Sequence, residues 1–282
     1  MAVITWLPQQ GISSVAITCS PLQASLQGSI KNRSEPNFLA EAASCVVLHI
    51  PHASTYIPAE YRQGILLDNN ELQDELVTVT DAFCDELYDF PVAEKIIAPV
   101  SRLVCDMERF REDEKEPCAK HGQGLMYTHT KDGRVLRKYN SALREQILKN
   151  LYDPHHARLT AAVDKALEQH GKCLIIDCHS FSDDTDMPDF CIGTDAFHTP
   201  IELTKMLFTK IDKLGYSVLE NIPYSGTITP MKHYGRDKRV VSVMIETNRR
   251  LYQTVDKPEK SAGFEKTRLA CQALIRCAVD LI

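Results

Sequence analysis

Several signatures that would announce a class of chemistry are missing from this 282-residue chain. There is no Gly-x-Gly-x-x-Gly and no P-loop, so no backbone cradle for a nucleotide cofactor is in evidence. No Gly-x-Ser-x-Gly elbow offers a serine nucleophile. No basic block exceeds a Lys-Arg pair and the net charge is −6. That balance argues against nucleic acid or an acidic membrane as the main partner. Apolar runs stay far below the ~20 residues needed to span a bilayer. The first 27 residues lack the basic start and continuous apolar core of a signal peptide, which makes the cytosol the expected location. Ten cysteines show no Cys-x-x-Cys spacing, and Cys45, Cys105, Cys173 and Cys191 fall in apparent strands. Buried in strands they act as small hydrophobes, which fits a reducing compartment better than a disulfide framework.

What is present suits one large α/β domain, or at most two small ones. Hydrophobic residues make up 44% and charged residues 25% of the chain, enough for a sizeable core. Residues 1–40 are rich in Gln, Ser, Asn and Pro with no clear period, and are expected to be an N-terminal extension to a catalytic domain over 41–282. Within that domain, strands are predicted at 45–50, 94–97, 102–105, 173–177, 189–193, 216–220 and 240–246. A helical segment over 70–89 should break near the β-branched Val77-Thr78-Val79-Thr80 and restart with Thr80 or Asp81 as N-cap. Further helices are expected at 139–151, from Asp153 to Gly171, from a capping box at Thr199-Pro200-Ile201-Glu202 to Gly215, and over 258–282. Residues 111–133, charged and punctuated by glycine, read as a long exposed loop or lid. Strands alternating with helices predict a three-layer α/β/α domain around a central mixed, mostly parallel sheet.

The chemistry is expected at the carboxyl ends of strands, where open α/β sheets place their ligands. The run Cys173-Leu174-Ile175-Ile176-Asp177-Cys178-His179-Ser180 delivers an acid and a histidine there. Cys45-Val46-Val47-Leu48-His49-Ile50 does the same with Pro51-His52-Ala53-Ser54. Two strands ending in histidine suggest a metal site, His52 and His179 supplying nitrogen ligands and a carboxylate or histidine the third. Asp81 is a candidate for that place, against the plainer reading of a helix cap. Glu246 closes an apolar strand and is a candidate general base, against a salt bridge to Arg249 or Arg250. Arg102 and Arg109 flank Asp106 and suit recognition of an acidic small molecule, against a surface ion-pair network with Asp106 and Glu108. Cys178 and His179 make a poor dyad, because neighbours on a strand point to opposite faces.

Taken together, several segments resemble the N-formylglutamate amidohydrolase family, zinc-dependent hydrolases related in fold to carboxypeptidases. They are Ile50-Pro51-His52-Ala53-Ser54 with Pro58, Thr80-Asp81 with Asp85 and Leu87-Tyr88, and Ser101-Arg102-Leu103-Val104-Cys105-Asp106. Asp177-Cys178-His179-Ser180, Tyr224-Ser225-Gly226, Thr229, His233-Tyr234-Gly235 and Glu246 continue the series in family order, from about Cys45 to Tyr252. The resemblance implies one zinc per chain on His52, Asp81 and His179, with Glu246 as the catalytic glutamate. It also implies that Arg102 and Arg109 hold the substrate, with Tyr234 assisting, and that Arg102 or Arg109 stabilises the oxyanion. Many relatives carry His-Ser-Gly where this chain has His52-Ala53-Ser54, an aromatic–histidine pair where it has Phe83-Cys84, and Asn-Arg where it has Glu108-Arg109. The last departure sets a negative charge beside the carboxylate clamp. The expected reaction is hydrolysis of N-formyl-L-glutamate to formate and glutamate. The alternatives are a zinc amidase or carboxypeptidase acting on another N-acyl amino acid or small peptide, and a binding protein that has kept the fold without the activity.

Overall fold

The two apolar runs that organise the sequence lie side by side. Val46–Ile50 forms β1 and Cys173–Phe181 forms β3, parallel, with Leu48 beside Ile176 and His49 beside Asp177. The computed structural model describes residues 44–91, 93–182, 186–254 and 257–281, so the extension expected over 1–40 lies outside the described residues. Four further strands complete the sheet: β2 (Glu94–Ile97), β4 (Phe190–Gly193), β5 (Val218–Glu220) and β6 (Val240–Asn248). Their order is β2-β1-β3-β6-β4-β5, and only the β4–β6 pair is antiparallel. The central β3 and β6 are buried on both faces almost throughout, which is why they read as continuous apolar runs.

Helices cover both faces. They are α1 (Ala59–Arg62), α2 (Asn69–Val79), α3 (Cys84–Leu87), α4 (Ser141–Ile147), α5 (Asp153–His170), α6 (Ile201–Lys213) and α7 (Phe264–Val279). On one face Leu48, Ile176, Cys178 and Val243 pack with α3, α6 and α7 through Leu87, Leu207 and Leu274. On the other, Val47, Ile175 and Val240 pack with α5 through Leu159 and Val163. The result is the three-layer α/β/α arrangement expected of alternating strands and helices. No helix among the described residues is long and apolar enough to cross a membrane.

Several local expectations give way to turn chemistry. The predicted strand at 102–105 is a turn closed by the Val104 amide on the Ser101 carbonyl, 2.9 Å. The helix over 70–89 does break, but not into a new cap at Thr80 or Asp81. Asp68 and Glu71 form a capping box at the start of α2, and α3 begins after Phe83, whose backbone is left-handed at φ 63°. Asp81 is left in the gap. The capping box expected at Thr199 does not form either: Thr199 Oγ1 donates to the Ser242 carbonyl (2.6 Å), and Pro200 occupies the cap position. The 111–133 loop is not wholly exposed, for Leu125, Met126 and Tyr127 are buried. Cys105 is buried outside any strand, and the nine cysteines among the described residues are all free.

Candidate functional site

On the α5 face, the apolar positions Val47 and Ile175 give way two residues later to His49 and Asp177, and Asp177 to His179. Alternation along a strand puts these polar groups on one side of the sheet. Cys178 faces the opposite core. Glu246 joins them because β6 pairs with β3 in a register that sets it beside His179. His52 follows β1 by two residues. Asp81 is carried in from the gap between α2 and α3, where its amide donates to the His52 carbonyl, 3.0 Å. Asp106 and Glu108 arrive on the turn-rich segment after β2. All of these side chains are buried.

His52 and His179 face each other with their Nδ1 atoms 3.3 Å apart. Asp81 Oδ2 lies 3.6 Å from His52 Nδ1 and 3.2 Å from His179 Nδ1. The outer ring nitrogens are held by acids: His52 Nε2 is 2.9 Å from Asp106 Oδ1, and His179 Nε2 is 3.1 Å from Asp177 Oδ1. Glu108 Oε2 lies 3.0 Å from His179 Nε2 and 3.9 Å from His52 Nδ1, and no hydrogen bond satisfies it. Behind this group His49 Nδ1 meets Asp177 Oδ1 at 2.9 Å and Glu108 Oε1 at 3.5 Å. Its other nitrogen meets His155 Nε2 of α5 at 2.9 Å.

The charges are strongly coupled. Burial pulls the His49 imidazole down, but hydrogen bonds to Asp177 and Glu108 outweigh it and raise His49 to about 9. Burial and the neighbouring His49 push His155 down to about 2, so His155 stays neutral. Burial opposes the ionised form of Asp106, yet Arg102, Arg109 and His52 hold it well below the usual carboxylate range. Burial, with the Asp81 and Glu108 charges, pushes Glu246 up to about 8 against the pull of His179 and Arg249. Its Oε2 has no hydrogen-bond partner.

Three donor sets could hold a cation here. His52, Glu108 and His179 have ligand atoms within 4.8 Å of one another, as do His49, Glu108 and Asp177. The triangle of His52 Nδ1, His179 Nδ1 and Asp81 Oδ2 is tighter, with edges of 3.2–3.6 Å. Zinc bonds of about 2.0–2.1 Å at tetrahedral angles separate neighbouring ligand atoms by about 3.4 Å. Four further buried carboxyl groups beside Glu246, of Asp81, Asp106, Glu108 and Asp177, meet three guanidinium groups, of Arg102, Arg109 and Arg249. The remaining buried negative charge is met by a protonated histidine such as His49, or by a cation.

The structure thus brings His52, Asp81, His179 and Glu246 together. Arg102 stands beside them, its Nε and Nη2 donating to Asp106 Oδ2 at 3.1 and 2.7 Å, with its side chain 17% exposed. Arg109 does not stand free as a clamp. It is buried behind Asp106, its Nε donating to the Gln123 carbonyl (3.0 Å) and its Nη2 to Tyr127 Oη (3.3 Å). Tyr234 is not brought to the cluster: its hydroxyl is 3.4 Å from Asp195 Oδ2 and its ring stacks on His198. Arg249 pairs with Asp81 rather than with Glu246. Sequence reading missed Glu108 and His49 as part of the cluster. His155 and His156, in the first turn of a helix, offered one pocket-lining candidate against the plainer reading of capping-region histidines. His155 is the one that reaches His49. A lone histidine inside the apolar run of β1 was the available signal for His49.

Comparison with known proteins gives one answer. A model of the family described as N-formylglutamate amidohydrolase matches residues 44–253. The N-formylglutamate deformylase of Pseudomonas putida is 29% identical over 230 residues, spanning 76% of this chain and 83% of that protein. Among solved structures, N-formylglutamate amidohydrolase from Ralstonia eutropha JMP134 superposes with a TM-score of 0.73 at 21% identity, covering 84% of this chain and 94% of that one. A gene product of Agrobacterium tumefaciens gives 0.62 at 19% identity, covering 86% and 94%. At those identities the two structures bear on the fold alone.

Proposed function

The chain belongs to the N-formylglutamate amidohydrolase family and is a hydrolase of a carbon–nitrogen bond; from that premise we propose that it removes the formyl group of N-formyl-L-glutamate, with one zinc ion held by His52, Asp81 and His179. The observation that carries this reading is the triangle of His52 Nδ1, His179 Nδ1 and Asp81 Oδ2, with the unpartnered Glu246 carboxylate nearby. It is preferred to the set that uses Glu108 for two reasons. Its edges match tetrahedral zinc, and it leaves each histidine's outer nitrogen on a carboxylate, the arrangement that orients metal-ligating imidazoles.

When bound, the metal would lower the pKa of water toward ~7 and polarise the amide carbonyl. Glu246 takes the proton from the attacking water and returns it to the leaving amine. A buried carboxyl raised to about 8 holds a proton readily, and a cation seated against the histidines would draw that value down. Asp106 and Asp177 fix the two imidazole planes. Arg102, the part-exposed guanidinium at the rim, binds a substrate carboxylate or the developing oxyanion. Glu108 holds its oxygens against His179 and His49, whose imidazoles offset part of its charge.

Formate release from N-formyl-L-glutamate, compared with N-acetyl-L-glutamate and N-formyl-L-leucine, tests the substrate. Preference for the first supports the reading. Faster turnover of either of the others would move the protein to a zinc amidase of different specificity.

A further inference from the structure

Arg249 begins the 3-10 turn Arg249–Leu251 that follows β6, three residues beyond Glu246. Its guanidinium reaches three separate elements. Nε donates to Ser180 Oγ at the end of β3 (3.2 Å), Nη1 to the Thr78 carbonyl in the last turn of α2 (2.9 Å), and Nη2 to Asp81 Oδ1 (3.0 Å). Asp81 is therefore divided: Oδ1 is taken by Arg249, and Oδ2 alone faces the two histidines. The Asp81 amide, bound to the His52 carbonyl, fixes the backbone on the other side.

We propose that Arg249 is a positioning residue that makes Asp81 a one-oxygen ligand and so keeps a coordination position open for water and substrate. This rests on the His52, Asp81 and His179 ligand set proposed above. A carboxylate beside a divalent ion swings readily between one-oxygen and two-oxygen binding, and two-oxygen binding here would fill a position that hydrolysis needs. A planar fork with its nitrogens committed in three directions resists that swing more than a lysine ammonium would. Partners of this kind orient metal ligands without touching the metal.

The competing role is a brace that ties β6 to α2 and leaves the metal site unaffected. Cobalt substitution separates the two, because the visible absorption of Co(II) weakens as its coordination number rises. In Arg249→Met the absorption should fall several-fold from that of the cobalt-loaded wild type. The metal-free melting temperature should fall as well, because the buried Asp81 carboxylate loses its partner, so the cobalt spectrum and not the melt separates the two roles. In the same variant kcat should drop more than KM. Added guanidinium or methylguanidinium should restore part of the spectrum. Should Arg249→Met fail to fold, Arg249→Lys, which keeps the charge and loses the fork, serves for the same comparison. A cobalt spectrum identical to wild type in a folded Arg249 variant overturns the inference and leaves the ligand set standing. A wild type that takes up no cobalt removes the ligand set itself, and this inference with it.

Discussion

Glu246 lies directly beside His179 in the parallel pairing of β3 and β6. Neighbouring strands run about 4.8 Å apart, and register partners project to the same face. The juxtaposition of the proposed base with a proposed ligand is therefore set by backbone pairing, before any side-chain rotamer is chosen. Asp177, two residues before His179, shares that face and holds its outer nitrogen.

Glu246→Gln keeps the shape of the side chain and removes the proton acceptor. It should retain wild-type metal content while turnover falls by about 10²–10⁴, the usual contribution of general acid–base catalysis. Steady-state kinetics alongside elemental analysis checks it, and near-normal turnover would show that the base lies elsewhere.

Arg102→Ala should raise KM for an acidic substrate by about ten- to hundredfold, since a hydrogen bond to a charged group contributes roughly 1.5–3 kcal/mol. A neutral N-formyl amino acid should be affected much less. Equal losses on both substrates would mean that Arg102 meets no substrate carboxylate and serves the oxyanion or holds Asp106 instead.

Asp106 links acid stability to the site. Its folded pKa is depressed by Arg102, Arg109 and His52, below the ordinary value of about 3.9. Its stabilising contribution is therefore complete above about pH 4 and is lost as pH falls through the depressed value. Asp106→Asn should cost about 3–5 kcal/mol near neutral pH, because two guanidiniums lose their buried partner. The wild-type advantage should then shrink as the pH is lowered below about 4. Urea unfolding at pH 7 and pH 3 reads both, and a pH-independent difference would contradict the assignment.

Leu174, fully buried in the middle of the sheet, tests the core independently of the chemistry. Leu174→Ala should lower unfolding stability by about 2–5 kcal/mol through lost burial and the cavity left behind. Denaturant melts check this, and a change below 1 kcal/mol on that scale would mean that the site collapses around the smaller side chain.

The sequence carried the sheet because buried parallel strands announce themselves as apolar runs. β1, β3 and β6 were legible for that reason, and the ends of β3 and β6 located His179 and Glu246. Turn chemistry was much less legible. Residues 102–105 have the composition of a strand, yet the backbone there closes on Ser101 before it could pair. Thr199 had the composition of a cap, but the Ser242 carbonyl on β6 claimed its hydroxyl. Asp81 was a candidate ligand by resemblance, and no local pattern could tell it from a helix cap. Its place depends on the left-handed Phe83 that ends the gap and on Arg249, 168 residues away in the chain. Glu108 and His49 were hidden for a similar reason: one arrives on an irregular segment, and the other matters only because the register sets it beside Asp177.

Metal content of protein purified without chelator tests the central claim most directly. Elemental analysis should find about one zinc per chain in the wild type, as in a single three-ligand site. His52→Ala and His179→Ala should each lose nearly all of it. Absence of any metal after loading with zinc, cobalt or manganese would contradict the account, as would full stoichiometry surviving in both variants.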